Sequence, residues 1–319
     1  MLIRVIHCRC VLILAGGVCL SAFLSAQEPR VTIEPRTRPE PNSRPGSAKS
    51  GANIRVDVNE VTIPVTVTDL AGQPVTGLPA EAFHIYENGV EQPAPRLSQD
   101  DSPLSIGLVF DASASMSYKL DRSREAIVQL LKTSMPGDEY FLVQFNDAPK
   151  LLTRFTADGH EIERAMGGIQ AIGWTALLDS LYLSVNQMKH ARNTRRVLVI
   201  LSDGGDNNSR FTEHEVRALL RESDVSLYAI GMAGPLVDLK LLGNLTEVTG
   251  GHMFEIKNVS QLPEAMSKLS AVLREQYNLT YSPANTVRDG KYRHVQVKLT
   301  PPPGFPRLHL SWRNGYYAP

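Results

Sequence analysis

Ile106-Gly-Leu-Val-Phe-Asp111-Ala-Ser113-Ala-Ser115 is an apolar run that stops abruptly at a carboxylate and continues into alternating hydroxyls. An unbroken apolar run of this length reads as a strand buried on both faces, and such strands occur in parallel sheets covered by helices. Working outward, the next segments repeat the theme. Leu120, Ile127, Leu130 and Leu131 share one helical face, Phe141 to Phe145 and Leu151 to Phe155 read as strands, and Thr175 to Met188 has helical spacing. Val197 to Leu201 is a second buried strand, ending at Ser202-Asp203-Gly204-Gly205. Helices are expected over Glu213 to Arg221, Leu239 to Val248 and Leu262 to Gln276, with strands at Ser226 to Ile230 and His252 to Glu255. Alternation of this kind over residues 102–276 predicts an α/β unit with a parallel sheet and helices on both faces.

The flanks read differently. Over residues 53–101, Ile54 to Val67 alternates Val and Ile with polar residues, Asp69-Leu-Ala-Gly72 makes a turn before Pro74-Val75, and Phe83 to Tyr86 leads into an Asn88-Gly89 hairpin turn. Over residues 277–319, strands are expected at Tyr277 to Tyr281, Tyr292 to Leu299 and Leu308 to Trp312. Either set is too small to stand alone, so the two β segments should pack together, as a small sandwich-like domain, or against the α/β unit, which would then be an insertion between them.

The amino terminus has the form of an export signal. Arg4, His7 and Arg9 precede an apolar stretch from Val11 to Leu24 that closes on Ser25-Ala26, so residues 1–26 are expected to be removed and no stable membrane span to remain. All three cysteines, Cys8, Cys10 and Cys19, fall inside that segment, which excludes thiol catalysis and Cys-ligated zinc from the mature chain. Residues 27–52, rich in Pro, Arg and Ser, read as a solvated linker. The 33 basic and 33 acidic side chains cancel, and no Lys/Arg stripe marks a nucleic-acid partner.

Three loops at strand ends or helix starts hold the chemistry: Asp111-Ala-Ser113-Ala-Ser115, Gly173-Trp-Thr175 and Ser202-Asp203-Gly204. In an open parallel sheet the carboxyl ends of strands line the ligand crevice. These loops supply two carboxylates and three hydroxyls without nitrogen or sulfur donors, a set suited to Mg²⁺ or Mn²⁺. Other readings stand beside this one. Ser115 or Ser117 could cap the helix that follows, Thr175 could cap its own helix, and Asp203 could be a turn former. Trp174 is either a rim anchor or core, Asp206, Asn207 and Asn208 either extend the site or solvate a loop, and His214 and His252 read as structural or exposed.

Asp111-Ala-Ser-Ala-Ser115, Thr175 and Asp203, in that order and context, resemble the metal-ion-dependent adhesion site of von Willebrand factor type A (VWA) domains. Gly173-Trp-Thr-Ala-Leu-Leu-Asp-Ser180 and Leu201-Ser-Asp-Gly-Gly-Asp-Asn-Asn-Ser-Arg210, with Phe83-His-Ile-Tyr-Glu-Asn-Gly89 and Asp289-Gly-Lys-Tyr-Arg293 in the flanks, look similar to the exported bacterial VWFA-related (acidobacterial-type) family. The resemblance implies an α/β fold with a doubly wound, mostly parallel, six-stranded Rossmann-like sheet that has one antiparallel edge strand, for which Leu151 to Phe155 is the candidate. It implies Ser113, Ser115 and Thr175 as direct metal ligands and Asp111 and Asp203 as ligands through water, with a partner's Asp or Glu completing the sphere. Ala114 stands where Gly is frequent. The expected function is therefore a non-enzymatic, exported adhesion module for a protein ligand, periplasmic or at the cell surface; the alternatives are a metal-dependent hydrolase or a scaffold with a vestigial metal site.

Overall fold

A computed structural model describes residues 60–99, 101–234, 238–305 and 307–319. The expected export signal, the linker, the three cysteines and the beginning of the first expected strand lie outside the described residues.

The chain opens with β1 (Val61–Thr68), β2 (Phe83–Glu87), β3 (Val90–Glu91) and β4 (Arg96–Gln99). It then passes through β5 (Leu104–Asp111), α1 (Leu120–Lys132), β6 (Glu139–Phe145), β7 (Pro149–Thr156), α2 (Gly159–Gly167) and α3 (Leu177–Met188). Next come β8 (Arg195–Ser202), α4 (Glu213–Glu222), β9 (Val225–Met232), α5 (Lys240–Thr249), β10 (Met253–Ile256) and α6 (Leu262–Arg274). The last elements are β11 (Tyr277–Tyr281), β12 (Tyr292–Leu299), β13 (His309–Trp312) and β14 (Gly315–Tyr317).

Strands β5 to β10 form one six-stranded sheet in the order β10-β9-β8-β5-β6-β7. Every pairing is parallel except β6 with β7, so the antiparallel edge lies at the candidate strand around Leu151 to Phe155. All eight residues of β5 are buried, as its apolar run requires. One face of the sheet packs residues such as Leu108 and Val199 against Ile127, Ile162 and Met266 of α1, α2 and α6. The other packs Val109 and Ile200 against Leu181, Val216 and Leu242 of α3, α4 and α5. This is the doubly wound α/β fold expected from the sequence. The chain moves to opposite sides of β5 to place β6 and β8, and this switch point aims the carboxyl ends of β5 and β8 at one crevice.

The flanking β segments form two four-stranded sheets, β13-β1-β11-β4 and β14-β12-β2-β3, all antiparallel. Alternate residues of β2, β11 and β12 are buried, and Val65, Ile85, Leu279 and Val297 meet in a third core between the sheets. The Asn88-Gly89 turn forms with both residues at positive φ, 49° and 83°. The expected hairpin after Val67 forms but stays short, with Asp69 N donating to Gln73 O and Val75 N to Val67 O on either side of one bridge. Asp69 Oδ1 accepts from Ala71 N and Gln73 N to close the turn, but only a single bridge, Thr68 to Pro74, follows. Proline has no N–H with which to extend a ladder.

Candidate metal centre

Strand β5 delivers Asp111 to the crevice fully buried. Its Oδ1 accepts from Ser113 N at 2.9 Å and its Oδ2 from Ser202 Oγ at 2.5 Å. Burial pushes the Asp111 carboxyl up to about 6; hydrogen bonds from Ser113 and Ser202 oppose that rise, and the nearby Asp203 adds to it. A carboxylate so desolvated is stabilised by a cation near it. The chain then makes a short 3-10 turn, Ala114–Met116, which brings Ser113 Oγ and Ser115 Oγ within 3.1 Å of each other.

The second loop is tied to the first by Ala114 N donating to Gly173 O (3.1 Å) and Ile172 N donating to Ala112 O (2.9 Å). It is tied to the third by Asn207 N and Asn208 N, both donating to Thr175 O, and by Thr175 N donating to Asn207 Oδ1. Thr175 is buried, and its hydroxyl makes no hydrogen bond among the described residues. On the third loop Asp203 is buried and accepts at Oδ2 from Lys119 Nζ, 2.8 Å away. The structure thus gathers Asp111, Ser113, Ser115, Thr175 and Asp203 on three mutually bonded loops at the carboxyl ends of β5 and β8.

The capping readings of these hydroxyls are not realised. The residue at the amino end of α1 is Lys119, with no side-chain cap, so neither Ser115 nor Ser117 caps that helix. Helix α3 starts after Ala176, and its Leu177 and Leu178 amides donate to Asp206 Oδ1. Asp206 is therefore the cap of α3, held in turn by the Ser209 hydroxyl at 2.5 Å. Trp174 is 64% exposed, which makes it rim and not core. His214 is exposed on α4. His252 stacks edge-on against Phe254, and burial holds its imidazole below the usual histidine value.

The donor set fits an oxygen-loving divalent ion. It contains hydroxyls and carboxylates only, and among the described residues no group of three or more His, Cys, Asp or Glu side chains could hold a metal. Lys119 is the residue that sequence reasoning missed. Its proximity to Asp203 spans 84 positions, and no local pattern near Lys119 announces it.

Fold and site together define a Rossmann-like α/β domain with a strand-end oxygen crevice. A family model for the von Willebrand factor type A domain matches residues 106–205, the segment from β5 to the end of the third loop. The chain is 26% identical over 208 residues to inter-alpha-trypsin inhibitor heavy chain H4 of Homo sapiens, covering 59% of this chain and 22% of that protein. It is 26% identical over 146 residues to the same heavy chain of Bos taurus, covering 40% and 16%. The chain thus spans about a fifth of the length of these relatives. Among solved structures it is similar to a von Willebrand factor type A protein from Catenulispora acidiphila, with a TM-score of 0.50, 14% identity, and coverage of 74% of this chain and 72% of that one. Residues 106–205 thus match a VWA domain, set within the six-stranded α/β sheet.

Proposed function

We propose that the VWA domain is a binding module whose strand-end loops hold Mg²⁺ or Mn²⁺ and present it to an Asp or Glu side chain of a protein partner. The observation that carries this reading is the pair of hydroxyls at Ser113 and Ser115, 3.1 Å apart beside the buried Asp111, with neither engaged as a helix cap. Ser113, Ser115 and Thr175 would touch the ion, and Asp111 and Asp203 would act through its waters. The ion supplies a concentrated positive charge that a carboxylate can neutralise.

The surface around the site supplies the rest of the contact. Tyr118 (74% exposed), Ile172 and Trp174 each lie within three residues of a donor, so the fitting partner presents its acidic side chain beside apolar groups. A hydrolytic reading is less well supported, because Asp111 and Asp203 would be committed to the ion's waters and neither His214 nor His252 is on the site loops. The export-signal form of the sequence over residues 1–26 supports a module that acts outside the cytoplasm; no helix among the described residues is long and apolar enough to cross a membrane.

Calorimetric titration of the full chain with MgCl₂ and MnCl₂ tests the reading. Saturable binding is expected, and it should vanish in Asp111→Ala and Ser113→Ala variants that keep the wild-type circular dichroism. Absence of binding at millimolar metal would overturn the metal-centred function.

A further inference from the structure

Lys119 stands inside the candidate centre without belonging to its donor set. Its ammonium lies 2.8 Å from Asp203 Oδ2, and the two side chains are only 9% and 7% exposed. The backbone is fixed: Lys119 N donates to Met116 O, and Lys119 O accepts from Ser123 N, both at 2.9 Å, at the start of α1. Only the flexible four-carbon stem is free to move.

Asp203 is one of just two carboxylates available to a divalent ion here. An ammonium on Asp203 Oδ2 and a divalent cation whose waters Asp203 holds would draw on one buried negative charge with little water between them, so they repel and compete for it. Removing the ammonium from Asp203 is equally costly unless another cation replaces it. The two states therefore exclude each other. A place for the displaced side chain exists, since Tyr118, Lys119, Met232, Ile256 and Asn258 line a cavity of about 190 Å³ beside the centre. The Tyr118 ring, whose centroid is 5.1 Å from Nζ, offers the ammonium a cation–π contact on the way.

We propose that Lys119 is a tethered counter-cation: it occupies Asp203 in the metal-free protein and has to leave before a divalent ion is held. Lys119 thereby sets the metal concentration at which the module loads, and loading moves a positive charge outward toward the partner-facing rim. This inference rests on the metal reading of the site given above.

The direct test needs no variant. The full wild-type chain is treated with an amine-acylating reagent with and without MnCl₂, and modification of Lys119 is followed by peptide mass spectrometry against the exposed Lys150 and Lys189 as references. Lys119 should be protected without metal and several-fold more reactive with it, and Asp203→Asn should expose it without metal. In parallel, Lys119→Gln should bind Mn²⁺ about tenfold more tightly than wild type, the factor set by losing one charge-assisted hydrogen bond as competitor. Saturable metal binding with unchanged Lys119 reactivity, or with equal or weaker affinity in Lys119→Gln, would overturn the counter-cation role and leave the metal site standing. No binding in either protein would remove both.

Discussion

At the residue scale the site depends on a glycine. Gly173 has φ +80°, and a Cβ there would lie 2.6 Å from both carboxylate oxygens of Asp147. The same Asp147 accepts from Trp174 N at 2.7 Å, so its carboxylate cannot withdraw without releasing the loop. Gly173→Ala should therefore lose roughly 1–3 kcal/mol in urea unfolding, from left-handed strain plus the displaced hydrogen bond. Metal affinity should fall with it, because Gly173 O is the acceptor that ties this loop to Ala114. Gly205, which has nothing within 4 Å of its would-be Cβ, is the control; equal stability of the two Ala variants would show that Asp147 does not hold the loop. That Asp111, Ser113, Ser115, Thr175 and Asp203 would fall on neighbouring loops was legible because their loops follow strands or precede a helix, where local sequence marks position. Ser202, Asp147, Asp206 and Lys119 were not legible in the same sense. Each acts on a residue at least 27 positions away, and only the folded loops bring them together.

At the element scale, buried strands and long helices could be read from their apolar periodicity, and short or charged elements could not. Helix α2 went unread because only Ile162 and Met166 of its nine residues are buried, one turn's worth of pattern between glycines. Strand β4, with no fully buried residue, lacks the alternation that marked β2 and β11. What joins these elements is also nonlocal, as Asp138 shows. Its Oδ1 accepts from Leu104 N and its Oδ2 from Met135 N, both at 2.8 Å, while the Arg274 guanidinium closes on it from the end of α6. Burial would raise this carboxyl, but the hydrogen bonds from Arg274 and the two amides prevail and hold it below the usual carboxylate range. A depressed acid stabilises the fold above its unfolded pKa, about 3.9, and that contribution disappears as pH falls through the lower folded value. Asp138→Asn is thus expected to be roughly 2–4 kcal/mol less stable than wild type at pH 6. The gap should narrow toward pH 3, and urea midpoints of both proteins at the two pH values check it. A gap that does not change with pH would show that the ionised form of Asp138 is not what ties these elements.

At the scale of the whole molecule, the sandwich is a joint product of two distant segments. In one sheet β11 separates β1 from β4, and in the other β12 separates β14 from β2. Neither flank by itself can therefore assemble either sheet. The α/β unit leaves from β4 and returns in β11, and Gln99 pairs with Tyr277, so its two ends meet in adjacent strands. The sandwich contacts the unit away from the candidate centre. Arg313, which follows β13, pairs with Asp224 just before β9, and Gln276 Nε2 donates to Tyr228 OH at 2.6 Å. Beside the buried Asp111 and Asp203, Tyr118 and Trp174 are exposed. The cores of the α/β unit are made of residues between Leu104 and Leu273, so they do not need the sandwich to close. A chain truncated after Gln276 should accordingly lose protection over residues 60–99, because β1 and β4 lose β11 between them. Limited proteolysis should yield a stable fragment beginning near residue 102 and ending near residue 275, with its metal affinity retained. Survival of residues 60–99 in the truncated chain would mean that the amino-terminal strands draw their stability from the α/β unit and not from their carboxyl-terminal partners. Loss of the whole fragment would mean that contacts made by the removed segment, such as the pair from Arg313 to Asp224, are required to hold the sheet itself.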